Sequence, residues 1–336
     1  MYWLGYQKKV LIRAHSRKQL FVGSVAVLIG FSKKGGIVIM FRAGYVAILG
    51  EPNVGKSTLM NALIGERLSI VSRKPQTTRR RIVGILSEGE FQIVFLDTPG
   101  MLAPEYALHE AMMRSVGSAI DEADILCVMK DATKFSPDAP VIDPARVPVE
   151  MFKTKPAILV INKIDLLANR NELLPQIEKY NASGYFKHIV PISAKEGMNV
   201  DDLKKSLVSF LPAHEPFFPT DSLSDMQDRF FVSEIIREKV FQLLRQELPY
   251  ATEVQIEEYA ERERGKWHIA AQIIVERDSQ KGIVIGSKGS MLKTIGERAR
   301  ISIEEYLSHP VYLTLTVIVK KEWRKNKSLL QQFGYQ

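Results

Sequence analysis

One cysteine, Cys127, stands in 336 residues, so no internal disulfide can form and a reducing cytoplasm is the compartment this composition fits. No stretch approaches the roughly 18 consecutive apolar residues of a membrane-crossing helix. Acidic residues are missing from residues 1–39, which carry Lys8, Lys9, Arg13, Arg17, Lys18, Lys33 and Lys34. That segment accounts for seven of the net +8 charges and leaves +1 for residues 40–336. The basicity is therefore N-terminal and says little about the body of the chain. Residues 20–31 resemble the apolar core of a signal peptide, but no small-residue cleavage site follows. We expect 1–39 to be disordered or a non-native start upstream of Met40; a targeting arm is the alternative.

The chain is organised around residues 44–57. An apolar run from Val46 to Leu49 breaks at Gly50, and Gly50-Glu51-Pro52-Asn53-Val54-Gly55-Lys56-Ser57 leads into a helical pattern from Thr58. Strand, glycine loop and helix together are the context of a P-loop. The glycines let backbone N–H groups turn toward phosphate oxygens, and the helix N-terminus adds partial positive charge. Lys56 is expected on the β- and γ-phosphates, and the Ser57 hydroxyl on Mg²⁺.

Beyond it, strands and helices alternate. Residues 81–86 and 91–96 read as a hairpin, 105–122 as a helix, and 124–130 as a buried strand. Residues 132–150 hold four prolines and read as loop with at most one short helix. A strand at 157–161, a helix near 170–181, a strand at 188–191 and a helix at 199–210 follow. This is an α/β domain, 40–211, with a mixed, mostly parallel sheet and its ligand at the strand C-terminal ends. Residues 212–228 are proline-rich linker. Residues 229–336 change order: a helix over about 228–247, strands near 252–260 and 267–277, a helix opened by Ile283–Gly289 and running to about 307, and a strand at 311–319. That is an α+β unit of αββααβ pattern.

Three further motifs close strands of the first domain. Asp97-Thr98-Pro99-Gly100 can hold Mg²⁺ through Asp97 and offer the Gly100 N–H to a γ-phosphate. In Asn162-Lys163-Ile164-Asp165, one carboxylate can accept parallel hydrogen bonds from guanine N1–H and N2–H₂, a donor pair adenine lacks. The Lys163 stem can lie along the base. Ser193-Ala194-Lys195 brings the Ala194 N–H toward guanine O6. Each motif alone is weak, but four in order, each at a strand end, specify a guanine nucleotide site. In the second domain Ile285-Gly286-Ser287-Lys288-Gly289 is a Gly-x-x-Gly loop in the context of a KH domain, whose loop clamps the backbone of single-stranded nucleotides. Ile285, Ile295 and the facing strand are expected to form the apolar groove for bases.

Gly50–Ser57, Lys74-Pro-Gln-Thr-Thr-Arg79, Asp97–Gly100, Asn162–Asp165, Ser193–Lys195, Phe230–Lys239 and Ile285–Ser290 together resemble the Era family, bacterial GTPases with a C-terminal KH domain (type II). The resemblance covers residues 44 to about 330. It implies binding to the 3′ end of small-subunit ribosomal RNA, a role in assembling that subunit, and peripheral association with the inner membrane. It also implies that Thr78, or Thr77, ligates Mg²⁺ when its loop closes, and that Asn53 ligates K⁺; a hydrogen bond from Asn53 within its own loop is the alternative. Met101 stands where Ras-like GTPases place a water-orienting glutamine, so hydrolysis is expected to be slow. Two readings stay open: a GTP-hydrolysing assembly factor, and a nucleotide-sensing RNA scaffold whose hydrolysis is incidental.

Overall fold

The computed structural model describes residues 29–31, 37–71, 74–143 and 149–335. Within the N-terminal stretch, β1 (Ile29–Phe31) and β2 (Ile37–Ile39) pair antiparallel; the rest of 1–39 lies outside the described residues. The first unit then runs β3 (Arg42–Gly50), α1 (Lys56–Ile64), β4 (Ile82–Glu88), β5 (Phe91–Asp97), α2 (Ala107–Glu122), β6 (Ile125–Asp131), α3 (Met151–Thr154), β7 (Ala157–Asn162), α4 (Leu173–Ala182), β8 (His188–Pro191) and α5 (Val200–Phe210).

Its six strands lie in the order β4-β5-β3-β6-β7-β8, parallel except for β4, which pairs antiparallel with β5. The central strands are apolar at consecutive positions because both faces are covered. Val46 and Ile48 of β3 pack with Leu59, Leu203 and Leu207 on one side, and Ala47 and Leu49 pack with Val116 and Ala119 on the other. Helix α5 shows the matching pattern, burying Val200, Leu203, Leu207 and Val208, with Asp201 and Asp202 complementing the helix dipole in its first turn. Residues 217–223 lie against the first unit. Gln92 receives the N–H groups of Phe217 and Phe218 and donates to the Phe218 carbonyl, while Leu223 accepts from Ile85 N–H on the edge strand β4. Ser224 Oγ adds a second contact on that edge, donating to the Val83 carbonyl at 2.5 Å.

The second unit runs α6 (Asp228–Leu243), β9 (Glu253–Ala260), β10 (Trp267–Val275), α7 (Asp278–Ile285), α8 (Ser290–Leu307), β11 (Val311–Val319) and α9 (Lys327–Gln332). Its sheet has the order β11-β10-β9, with β10 parallel to β11 and antiparallel to β9. Ile269, Ala271, Ile273 and Val275 point to one face, where Ile236, Val240, Ile295 and Ile303 of α6 and α8 cover them. Helix α6 is shorter than the expected 228–247. Gln246 takes a left-handed φ of 55°, and the Leu248-Pro249 step enters a short 3₁₀ turn, which Pro249 favours over continued α-helix. A separate apolar cluster joins the units: Leu108 and Met112 of α2 meet Ile274, Trp323, Leu330, Phe333 and Tyr335. Among the described residues no helix is long and apolar enough to cross a membrane.

Candidate nucleotide site and nucleic-acid interface

The strand order brings the C-terminal ends of β3, β5 and β7 to one edge of the sheet, together with the loop after β8, and all four first-unit motifs meet there. Gly55 has φ 105°, and a Cβ on it would stand 2.3 Å from Asn162 Nδ2, so backbone shape and the close approach both require glycine. Val54 is buried beneath the loop, Asn53 is exposed at its tip with φ 63°, and Thr58 is half-buried in the first turn of α1. Lys56 is buried, and its Nζ donates to the carbonyls of Gly50 and Glu51 at 3.1 Å each. Burial lowers its pKa to about 8. A phosphate would supply the negative charge that these carbonyls replace only in part.

Beside Lys56, three oxygens converge. Ser57 Oγ donates to Asp97 Oδ2 at 2.8 Å and lies 2.9 Å from Thr78 Oγ1, which itself lies 3.4 Å from Asp97 Oδ2. All three side chains are buried. Asp97 Oδ1 is buried without a hydrogen-bond partner. Burial raises the Asp97 pKa, against the opposing charge of Lys56. An orphaned carboxylate oxygen and two hydroxyls form a hard donor set suited to Mg²⁺. Thr78 thus occupies this cluster, whereas the Thr77 carbonyl accepts from Arg237 of the second unit at 2.6 Å. Gly100 lies against the P-loop, where a Cβ would stand 2.8 Å from Pro52 N, and Met101 N–H donates to the Gly50 carbonyl at 3.1 Å. The Met101 side chain is buried in the core.

On the base side, Asn162 Nδ2 donates to the Val54 carbonyl at 2.8 Å and Asn162 Oδ1 accepts the Ala194 N–H at 2.9 Å. The Ala194 N–H, expected to face guanine O6, is here committed to Asn162. Lys163 takes a left-handed φ of 68° and its Nζ pairs with Asp131 at 2.6 Å. Asp165 is half-buried in the turn that follows. Ser193 is fully buried and its Oγ accepts from Glu196 N–H at 3.2 Å, while Lys195 pairs with Glu196 at the surface.

In the second unit, the Gly-x-x-Gly loop joins α7 to α8. Gly286 has φ 74° and ψ 175°, a conformation essentially reserved for glycine, and a Cβ would stand 2.8 Å from Met291 N. Ile285 is half-buried, Ser287 and Lys288 are exposed, and Gly289 leads into α8. The apolar run Ile283–Ile285, expected to open the helix that runs to about 307, instead ends helix α7, and α8 starts at Ser290. One expected groove residue is displaced: Ile295 is fully buried in the core. The open cavity, about 460 Å³, is lined instead by Gly289, Leu292, Gly296 and Arg300 along one face of α8 and by Leu313 and Leu315 of β11. Helix period explains the error, because 292, 296 and 300 share a stripe that 295 does not.

Residues 45–163 match the family described as 50S ribosome-binding GTPase, and residues 247–324 match the KH domain family. The GTPase Era of Geotalea uraniireducens is 46% identical over 298 residues, which cover 88% of this chain and 98% of that protein. The chain belongs to the Era family of GTPases. The chloroplastic GTPase ERA1 of Zea mays is 43% identical, covering 88% of this chain and 70% of that protein. Among solved structures, a point variant of Aquifex aeolicus Era bound to GDP·AlF₄⁻ superposes with a TM-score of 0.81 at 40% identity, covering 88% of this chain and 99% of that one. A structure of Era in complex with MgGDPNP and nucleotides 1506–1542 of 16S ribosomal RNA superposes at 0.82, with the same identity and coverage. The chain is a P-loop GTPase domain followed by a KH domain. Sequence reasoning missed how the two are joined. Arg79, Arg80, Arg237 and Glu253 meet between them, and no periodic signal marks those positions.

Proposed function

We propose that this GTPase binds and slowly hydrolyses GTP, holds the single-stranded 3′ end of small-subunit ribosomal RNA on its KH domain, and assists assembly of that subunit. The observation that carries the reading is the convergence of Ser57, Thr78 and Asp97 within 3.4 Å, beside Lys56. Lys56 binds the β- and γ-phosphates, and the N–H groups of Gly50–Thr58 surround them. Ser57, Thr78 and Asp97 hold Mg²⁺, which neutralises charge on the phosphate oxygens when bound. Gly100 offers its N–H to the γ-phosphate. Asp165 accepts the two guanine donors, the Lys163 stem lies along the base, and Ser193, Ala194 and Lys195 shape the loop at its far edge. Asn162 ties the two loops together, and the related Era structures with MgGDPNP and with GDP·AlF₄⁻ support the nucleotide reading.

Met101 is buried and cannot orient water. Asn53, exposed at the P-loop tip, is the residue through which K⁺ would bring positive charge to the transferring phosphoryl group. On the KH side, Ile285–Gly289 clamps the RNA backbone and the cavity along α8 takes the bases. The functional units are 40–211 and 229–336, joined by 212–228. We place the protein in the cytoplasm, with peripheral contact at the inner membrane, following its family. The test is GTP turnover of the full chain with and without small ribosomal subunits, alongside binding of a 3′-terminal ribosomal RNA oligonucleotide. Turnover near zero in both conditions, with intact nucleotide-dependent RNA binding, would favour the scaffold reading instead.

A further inference from the structure

Residues 74–80 lie between the nucleotide site and the KH domain. Gln76 takes a left-handed φ of 58°, and beyond it the adjacent side chains of Thr78 and Arg79 turn to opposite sides. Thr78 turns to Ser57 and Asp97. Arg79 turns the other way and is 3% exposed. Its guanidinium donates to the carbonyls of Thr252 at 2.7 Å, Tyr250 at 2.9 Å and Pro249 at 3.2 Å, and to the Glu253 carboxylate at 3.1 Å. It lies 5.6 Å from the Phe241 ring centroid and 5.8 Å from that of Trp323. The neighbours are held as well. Lys74 donates to the carbonyls of Phe241 and Leu244 at the C-terminus of α6, Arg237 donates to the Thr77 carbonyl, and Arg80 pairs with Glu253. Every one of these partners belongs to the KH side.

A buried guanidinium with four acceptors cannot leave them without stranding its charge, so Arg79 moves with the turn 249–253. Adjacent Cα atoms are about 3.8 Å apart across a trans peptide, so Thr78 cannot keep its place when Arg79 is displaced by several ångströms. We propose that Arg79 is a positioning residue for GTP hydrolysis: the KH turn 249–253 holds Arg79, and Arg79 holds the Thr78 hydroxyl at Ser57 and Asp97. This rests on the reading of Thr78 as a Mg²⁺ ligand. A switch segment ordered by γ-phosphate and Mg²⁺ is released in the diphosphate state. The KH domain therefore tunes the affinity for the triphosphate and leaves that for GDP alone. By linkage, the triphosphate biases the KH turn to the same degree.

The test titrates Mg²⁺ against equilibrium binding of GDPNP and, separately, of GDP, using the full chain. Wild type, Arg79→Met, Thr78→Ala and the double variant are compared, with kcat measured alongside. Arg79→Met is expected to raise the Mg²⁺ needed for half-maximal GDPNP binding about tenfold and to leave GDP binding within about twofold, as loss of positioning without loss of the site predicts. Thr78→Ala should do the same, and the double variant should be no worse than Thr78→Ala, because one residue acts through the other. Arg79→Lys keeps the charge without the planar fork and should fall between. Arg79→Met also leaves Glu253 less paired, so Arg79→Met with Glu253→Gln is run beside it, and GDP binding reports that the GTPase domain is folded. Unchanged GDPNP binding in Arg79→Met, with Thr78→Ala impaired, overturns the proposal and leaves the metal reading standing. Full additivity in the double variant also overturns it. Unchanged binding in Thr78→Ala removes the metal reading and the proposal with it.

Discussion

Asn162 donates to the Val54 carbonyl at 2.8 Å and, through its other amide atom, accepts the Ala194 N–H at 2.9 Å. One carboxamide thus fastens the phosphate loop to the base-side loop across the crevice at the sheet edge. Asn162→Ala is expected to weaken GTP and GDP to the same extent, by about 1–3 kcal/mol, the cost of leaving buried partners unpaired. Calorimetric titration with both nucleotides checks this. A loss confined to GTP would assign Asn162 to the γ-phosphate instead.

Asp165→Asn is expected to shift preference from GTP toward XTP. The amide presents a donor where the carboxylate accepted, and the guanine N2 amino group then lacks its partner. Competition between the two nucleotides measures the shift. Unchanged GTP affinity with no gain for XTP would contradict the base-reading role.

The KH loop separates charge from backbone. Gly286→Asp would disturb both, since a Cβ there meets Met291 backbone and the φ of 74° disfavours a side chain. Lys288→Glu changes charge alone at an exposed residue whose φ is already 50°. It should weaken RNA binding across sequences and reduce the salt dependence of affinity by about one unit of slope, the signature of a lost phosphate contact. GTP affinity should not move.

Hydrolysis by the isolated protein is expected to be faster in K⁺ than in Na⁺ at equal ionic strength. Asn53 is the residue to alter. Its φ of 63° makes Asn53→Gly the cleaner variant, because alanine would add left-handed strain of about 1–2 kcal/mol. Equal rates in the two salts for wild type would remove the cation from the mechanism.

Cys127 is 1% exposed in the middle of β6, and burial pushes its thiol up to about 12. It should resist disulfide-exchange reagents in the native protein from pH 7 to about 10 and react at once in denaturant, since the thiolate is the reactive form. Appreciable native-state labelling would show that the β6 core opens readily.

Local patterns in the chain determined much of this protein by themselves. The P-loop, Asp97–Gly100, Asn162–Asp165 and Ser193–Lys195 each follow an apolar strand run, so their meeting at one sheet edge follows from βα alternation alone. The αββααβ order and the Gly-x-x-Gly turn placed the KH domain in the same way. Period and backbone chemistry are local, and they survive in any reading of the chain. Other features depended on which surfaces meet. Sequence left Thr77 and Thr78 as alternatives; packing put the Thr78 hydroxyl on Ser57 and turned the Thr77 carbonyl to Arg237. Ile295 was expected in the RNA groove, yet the register of α8 buries it against the sheet. Arg79 reads as one more cation in a basic run, and only the docked KH turn reveals the four acceptors that hold it. Long-range pairing of polar groups has no sequence period, so the tertiary structure alone decides it.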